Sequence, residues 1–301
     1  MLRTLVSRGL QSLLVLVLVS AITFFLINLA PGGPASIMRI DATPQQREAL
    51  RVRLGLDQPV PLRYLSWLGK AASGDLGASL LTDEPVVQRI GQRLPNTLAL
   101  AGLSLAISIL CGVPLGVAAA LRRSTPIDYA IGLLGVLGLS IPSFWLGVML
   151  ILLFSVSLQL LPSTGHLLLP TVVLSTSVLP YVVRFTRSAL LEVLGQDYVR
   201  TARAKGLSHA VVVYQHALRN ALIPVVSVLG TLVPRLVGGA VITEAVFGWP
   251  GMGRLAVEAA QGRDYPLVLG VTVVIAVVVV VAAFVVDLAY TWLDPRIRLA
   301  A

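Results

Sequence analysis

The residues best placed to do chemistry are three ionisable side chains lying within long apolar runs: Arg235, Glu244 and Asp287. Such groups are rare in a bilayer, and those that occur face a bundle interior or water. Arg235 follows Pro234 near the middle of its run. It is expected either to pair structurally with a carboxylate or to line a polar path. Glu244 lies nine residues later, about 13 Å along a helix and on the opposite face, so the two are not expected to pair directly. Glu244 leads into Phe247-Gly248-Trp249-Pro250-Gly251-Met252-Gly253, whose glycines allow a tight gating loop. Asp287 sits near the other end of its run and is expected to pair structurally with a basic surface residue.

Little else is equipped for catalysis. No GxxxxGK followed by Ser or Thr occurs, so the chain does not cradle a nucleotide by itself. There is no HExxH, and the serines follow no GxSxG pattern. His166, His209 and His216 have no cysteine or carboxylate at catalytic spacing. His209 and His216 share one helical face if their segment is continuous, which reads as a solvated or partner-facing surface rather than a metal site. The single cysteine, Cys111, lies in an apolar run and allows no internal disulfide. A membrane enzyme is disfavoured, and neither cofactor nor metal is expected on this chain.

The elements that must position these residues are membrane spans. The 301 residues are 56% hydrophobic and 12% charged, with mean hydropathy +0.87. A soluble domain carries about 25% charged residues. Six apolar runs are long enough to cross a bilayer: 10–30, 95–121, 129–158, 167–189, 221–247 and 266–292. The first exceeds the apolar core of a signal peptide and reads as an uncleaved span. Pro31-Gly32-Gly33-Pro34 ends it. Pro95 suits the first turn of the second. Pro142 is expected to break the third, and Pro170 and Pro180 lie in the fourth. Prolines within spans fit helices that line a polar path, where freed carbonyls find partners. Residues 31–94 are the one sizeable polar region, with helices expected over 45–54 and 59–70 and with Tyr64 and Trp67 at headgroup level. They read as a compact cap on the outer face, between 1–30 and a five-helix core over 95–301. The net charge of +9 sets orientation: Arg and Lys of the short loops fall on the side that holds both termini, the cytoplasm.

One polar segment stands between the fourth and fifth spans, Asp197 to Asn220, DYVRTARAKGLSHAVVVYQHALRN. It reads as two short helices hinged at Gly206, the residue expected where a helix ends in a left-handed turn. A helix-turn-helix DNA reader is the rival reading. It needs a second helix free to enter a groove, yet Ser208–Asn220 runs into the fifth span, and the basic residues lie mainly on the first helix. Nucleic acid is therefore not an expected partner. Protein docking fits better. Ala202 and Ala204 are small enough for close approach of a partner. Arg200, Arg203 and Lys205 offer orienting charge, and Leu207 is expected to pack back on the first helix. Asp197, Tyr198, Thr201 and His209 belong to the same element.

This segment resembles the coupling loop of binding-protein-dependent ABC importer permeases. The remainder is similar to the B-type subunits of dipeptide and oligopeptide permeases in the peptide/nickel branch. The matching stretches are Asn28-Leu29-Ala30-Pro31-Gly32, Gly55-Leu56-Asp57-Gln58-Pro59, Gly74-Asp75-Leu76-Gly77, Arg93-Leu94-Pro95-Asn96-Thr97 and Ser140-Ile141-Pro142-Ser143-Phe144. Further on come Glu192-Val193-Leu194, Arg200 to Leu207, Glu244-Ala245-Val246-Phe247, Pro250-Gly251-Met252-Gly253 and Asp294-Pro295-Arg296. In order, they cover essentially the whole chain. Two departures stand out. Arg200 replaces the pattern's glutamate six residues before the glycine, with Asp197 or Glu192 as the nearest substitutes, and Arg219 lies near its closing proline.

The resemblance implies an all-α polytopic fold of six transmembrane helices with type I ABC importer permease architecture. It also implies a coupling loop over 191–220 and a place in a bacterial or archaeal plasma membrane. The implied partners are a homologous second permease, two cytoplasmic ATPase subunits that carry ATP and Mg, an outer substrate-binding protein and the lipid bilayer. Di- or oligopeptides are the expected cargo, with nickel or another small solute as the alternative. A membrane-anchored regulator that uses the 197–220 hairpin to bind DNA or a signalling protein is the alternative of another class. Within a permease, Arg235 pairs structurally or meets the carboxylate of a passing peptide, and Pro142, Glu244 and Phe247 are candidates for the path or its gate.

Overall fold

The computed structural model describes residues 2–29, 45, 52 and 55–293, with side chains from 7 to 286. The expected stop at Pro31–Pro34, most of the helix over 45–54, the Asp294-Pro295-Arg296 stretch and the Asp287 side chain lie outside the described residues.

The helices are α1 (Leu2–Leu29), α2 (Val60–Ala72), α3 (Val86–Leu121), α4 (Pro126–Ser140), α5 (Ser143–Ser157), α6 (Leu168–Thr176), α7 (Leu179–Leu194), α8 (Asp197–Ala204), α9 (His209–Phe247), α10 (Met252–Gln261) and α11 (Tyr265–Leu293). Four of these, α1, α3, α9 and α11, are long and apolar enough to cross a membrane. The pairs α4/α5 and α6/α7 bring the number to six when each counts as one bent span.

The bends have local causes. Between α4 and α5 the axis turns by 99°. Ile141 is extended there, at φ −81° and ψ 122°, because a following proline pushes a residue out of the helical region. Between α6 and α7 the bend is 47°. The hydroxyls of Ser175, Thr176 and Ser177 donate to the carbonyls of Val172, Val173 and Leu174. Such back-bonding weakens the helix where Pro180 enters the first turn of α7.

Three expectations about element ends change. Pro95 does not open a helix: α3 starts nine residues earlier, at Val86, where Val86 is fully buried. The fifth span is longer than expected, because α9 begins at His209 and runs unbroken through a π-helical stretch, Val212–Ala217. The tight loop expected over Phe247–Gly253 is shorter, because a helix starts at Met252 and runs to Gln261. Its buried positions Met252, Leu255 and Ala259 recur at helical spacing.

The chain divides into two compact units, Met1–Thr97 with Pro250–Val280, and Leu98–Trp249 with Val281–Ala301. In the first, α2 packs on α1. Tyr64 contacts Phe24 and Phe25 with ring centroids 5.5 and 6.1 Å apart, and its hydroxyl meets the Ser20 hydroxyl at 3.0 Å. Two of the stretches noted in the sequence meet in this unit. Asn96 Nδ2 donates to the Pro250 carbonyl at 2.8 Å, and the Met252 N–H donates to Thr97 Oγ1 at 2.7 Å. Asp264, fully buried, accepts from the Ser79 hydroxyl at 2.5 Å and from the Leu80 and Leu267 N–H groups. It thereby caps α11 and clips the 79–85 loop to it.

In the second unit α3, α6, α7 and α9 form the core. Leu100, Leu174, Val182, Val225, Leu232 and Leu236 are buried together. Gly112 and Gly116 bring α3 close to α7: a Cβ on Gly116 would lie 2.6 Å from Thr186 Cβ. Small residues at such contacts are how membrane helices gain packing where lipid supplies no hydrophobic drive.

Candidate functional site

The segment between α7 and α9 is a braced ledge. Its helix α8 has strongly polar outer residues and two inward ones, Val199 and Ala202. These lie three apart, on one helical face. They pack into a buried cluster with Val117 and Ala120 of α3, Leu190 of α7, and Val212, Ala217 and Ala221 of α9. Ala202 therefore faces the chain's own core, at 8% exposure, and not a partner as its small size led one to expect. Ala204 takes that outward role, being exposed.

Hydrogen bonds complete the bracing. Asn220 Nδ2 on α9 donates to the Tyr198 hydroxyl at 2.8 Å. Thr201 Oγ1 donates to the Asp197 carbonyl. Gly206 ends the helix at φ +78°, with its N–H donating to the Arg203 carbonyl. Leu207 is 41% exposed. Arg203, Lys205, Gly206 and His209 are exposed beside it. The result is a packed base with a basic, partly apolar exposed edge.

Arg200, where the coupling pattern carries glutamate, pairs with Asp197 at 3.5 Å. The side chains are 72% and 96% exposed, so the pair contributes little. The ledge does not fit a groove reader: with α9 continuous from His209 to Phe247, no second helix is free to leave it.

The four path candidates separate by burial. Arg235 is exposed, and its guanidinium lies 4.9 Å from the centre of the Tyr181 ring, a cation–π contact between α9 and α7. Pro142 is exposed at the α4/α5 bend. Glu244 is fully buried and has interactions of its own within the chain. Phe247 is 1% exposed and packs with Leu169 and Val173, seated against Gly147, where a Cβ would come within 3.1 Å of its ring. Glu244 and Phe247 thus sit in the interior of the second unit, away from any open surface. The tight turn expected from the glycines after Phe247 is present at Gly248, which ends the helix at φ +61°.

Sequence reasoning missed one polar contact in this unit. Asp128 at the start of α4 pairs with Arg187 of α7 at 2.7 Å. The sequence signal was slight: Asp128 stands one residue before the expected run 129–158, and Arg187 lies 59 residues further on.

Residues 112–299 match the family described as "Binding-protein-dependent transport system inner membrane component". The chain belongs to this family. Residues 1–101 match its N-terminal companion, "Binding-prot-dependent transport system membrane comp, N-term". Among curated relatives, a peptide permease protein of Brucella suis biovar 1 (strain 1330) is 42% identical, covering 99% of this chain and 100% of its own length. The oligopeptide transport system permease protein AppB of Bacillus subtilis (strain 168) is 40% identical, covering 97% of this chain and 98% of its own. Two inward-facing structures of the MetNI methionine ABC transporter share the fold, with TM-scores of 0.56 and 0.60. They are 24% and 22% identical, cover 68% and 69% of this chain, and are themselves covered to 96% and 97%. An inner-membrane component of this family is a multi-pass membrane protein, and the apolar helices of this chain agree with that.

Proposed function

We propose that this chain is the permease subunit of an ATP-driven importer of di- or oligopeptides. The observation that carries the reading is the ledge. Val199 and Ala202 fix α8 to α3, α7 and α9, while Arg203 to Leu207 are exposed. A segment that must transmit force needs a rigid base and an accessible edge, and this one has both. The relatives' names support the peptide cargo.

In this reading two cytoplasmic ATPase subunits, which carry ATP and Mg, dock on the exposed edge of α8 and its counterpart in a homologous second permease. An outer binding protein delivers the peptide, and both termini of this chain are cytoplasmic. Closure of the ATPase pair draws the two ledges together. Because α8 shares a core with α7 and α9, its motion moves those spans as one body. Arg235, exposed on α9 and held over Tyr181, is the side chain on this unit best placed to meet a peptide carboxylate.

The test is purification of the chain with its ATPase and transport of labelled peptide against Ni²⁺ in vesicles. Gly206→Pro should insert normally yet lose ATPase association. Normal peptide-stimulated hydrolysis in that variant would sink the docking role. Arg235→Ala should reduce uptake of peptides with a free carboxylate more than of amidated ones. Equal uptake of both, unchanged from the parent, would remove Arg235 from the path.

A further inference from the structure

A cavity of about 420 Å³ opens in the first unit between α1, α2 and the start of α11. Its place in the bilayer follows from the helices. Phe24 and Asn28 are in the last two turns of the apolar stretch Ser7–Leu29, and Tyr265 and Pro266 open α11. The end of one span and the start of another mark the same membrane face, so the cavity lies at headgroup depth. Around it the surface is apolar. Leu62 and Leu65 of α2 are 55% and 59% exposed, and Leu18, Ile22, Phe25 and Leu29 of α1 are also exposed. Those four α1 residues form one helical stripe, on the face adjoining the one that carries Phe24 and Asn28.

Among the described residues, the charged side chains lining the cavity are Arg63, Lys70 and Asp75, and Asp57 is close enough to act on Arg63. Asp75 Oδ1 already accepts the Gly77 N–H at 2.8 Å. Arg63 Nη1 donates to Asn28 Oδ1 at 2.8 Å. Two further donors have no such outlet. Arg63 Nε and Trp67 Nε1 are buried and lack a hydrogen-bond partner among the described residues. Burial also lowers the Arg63 pKa, with Asp57 acting in the opposite direction. Buried donors without partners are costly, which marks a place for an acceptor.

We propose that this cavity holds the phosphodiester of an anionic phospholipid, its acyl chains lying along the exposed stripe of α1. A phosphodiester supplies acceptor oxygens beside Arg63 Nε and Trp67 Nε1, with Lys70 at the rim. The site lies outside the coupling ledge and stands whatever the cargo proves to be.

The test uses the full-length chain purified in its assembled complex, with lipid retention read by native mass spectrometry after exchange into phosphatidylcholine nanodiscs doped with phosphatidylglycerol. The parent should retain phosphatidylglycerol in preference to phosphatidylcholine. Trp67→Phe keeps the ring and removes one donor, and Lys70→Gln alters an exposed residue that the fold does not need. Together they should lower retained phosphatidylglycerol about tenfold. Unchanged retention in the double variant, or equal retention of the two lipids by the parent, would overturn the proposal. A millimolar inorganic phosphate arm separates the sources: phosphate displacing the lipid or reproducing its thermal shift would reassign the cavity to a soluble anion. A loss of stimulation by the binding protein with lipid retention unchanged would assign the face to that protein instead.

Discussion

Arg187 grips Asp128 with two parallel hydrogen bonds, Nε to Oδ1 and Nη2 to Oδ2, each 2.7 Å long. The pair joins α4 to α7. Asp128 Oδ2 also accepts the Ser124 N–H at 2.9 Å, so one carboxylate fixes both a helix contact and the turn before it, where Ser124 sits at φ +61°. Arg187 is 35% exposed and Asp128 only 9%. A forked, partly buried pair of this kind is stronger than a surface ion pair.

Breaking it should therefore show in stability before function. Asp128→Asn and Arg187→Gln are each expected to lower the thermal midpoint of the detergent-purified protein, read by fluorescence-detected size exclusion. The exchange Asp128→Arg with Arg187→Asp should recover part of the loss. No recovery would mean that the turn at Ser124, and not the pair, is what Asp128 supports.

The ledge makes two alanines behave oppositely. Ala202→Glu places a carboxylate in an apolar cluster with no partner, a cost of about 3–5 kcal/mol, and should reduce folded protein. Ala204→Glu, on the exposed edge, should leave folding intact and reduce co-purification of the ATPase. Equal yields for both variants would contradict the inward placement of Ala202.

Gly206 has nothing within 4 Å of where a Cβ would be, so space is not the issue; its φ of +78° is. Gly206→Ala should cost roughly 1–2 kcal/mol of local strain, borne by the turn alone. ATPase coupling should weaken while the thermal midpoint moves little. A large drop in midpoint would show that the turn also stabilises the bundle.

In the first unit, Ser79→Ala removes a donor from the buried Asp264 carboxylate, leaving the Leu80 and Leu267 N–H groups. A loss of about 1–3 kcal/mol is expected. Asp264→Asn should cost less than Asp264→Ala, because the amide oxygen can still cap α11. Protease sensitivity between residues 79 and 85 provides the readout.

The sequence by itself determined the membrane class, the six apolar runs, the bend at Pro142, the left-handed turn at Gly206 and the family. Each follows from local chemistry: apolar length, a proline without an N–H, a glycine free to take positive φ, and motifs in order along the chain. The tertiary structure alone decided which way side chains face. Ala202 and Ala204 have the same type and sit two apart, and only the packing of α8 on α3, α7 and α9 makes one buried and the other exposed. Glu244 and Phe247 drew attention as a charge within a span and a residue beside glycines; the packing in the second unit puts both inside. The start of α3 at Val86 and the helix at Met252 were hidden for a related reason. Val86 is buried against Met252 and Leu255, and the Met252 N–H donates to Thr97; local propensity cannot report a partner about 150 residues away.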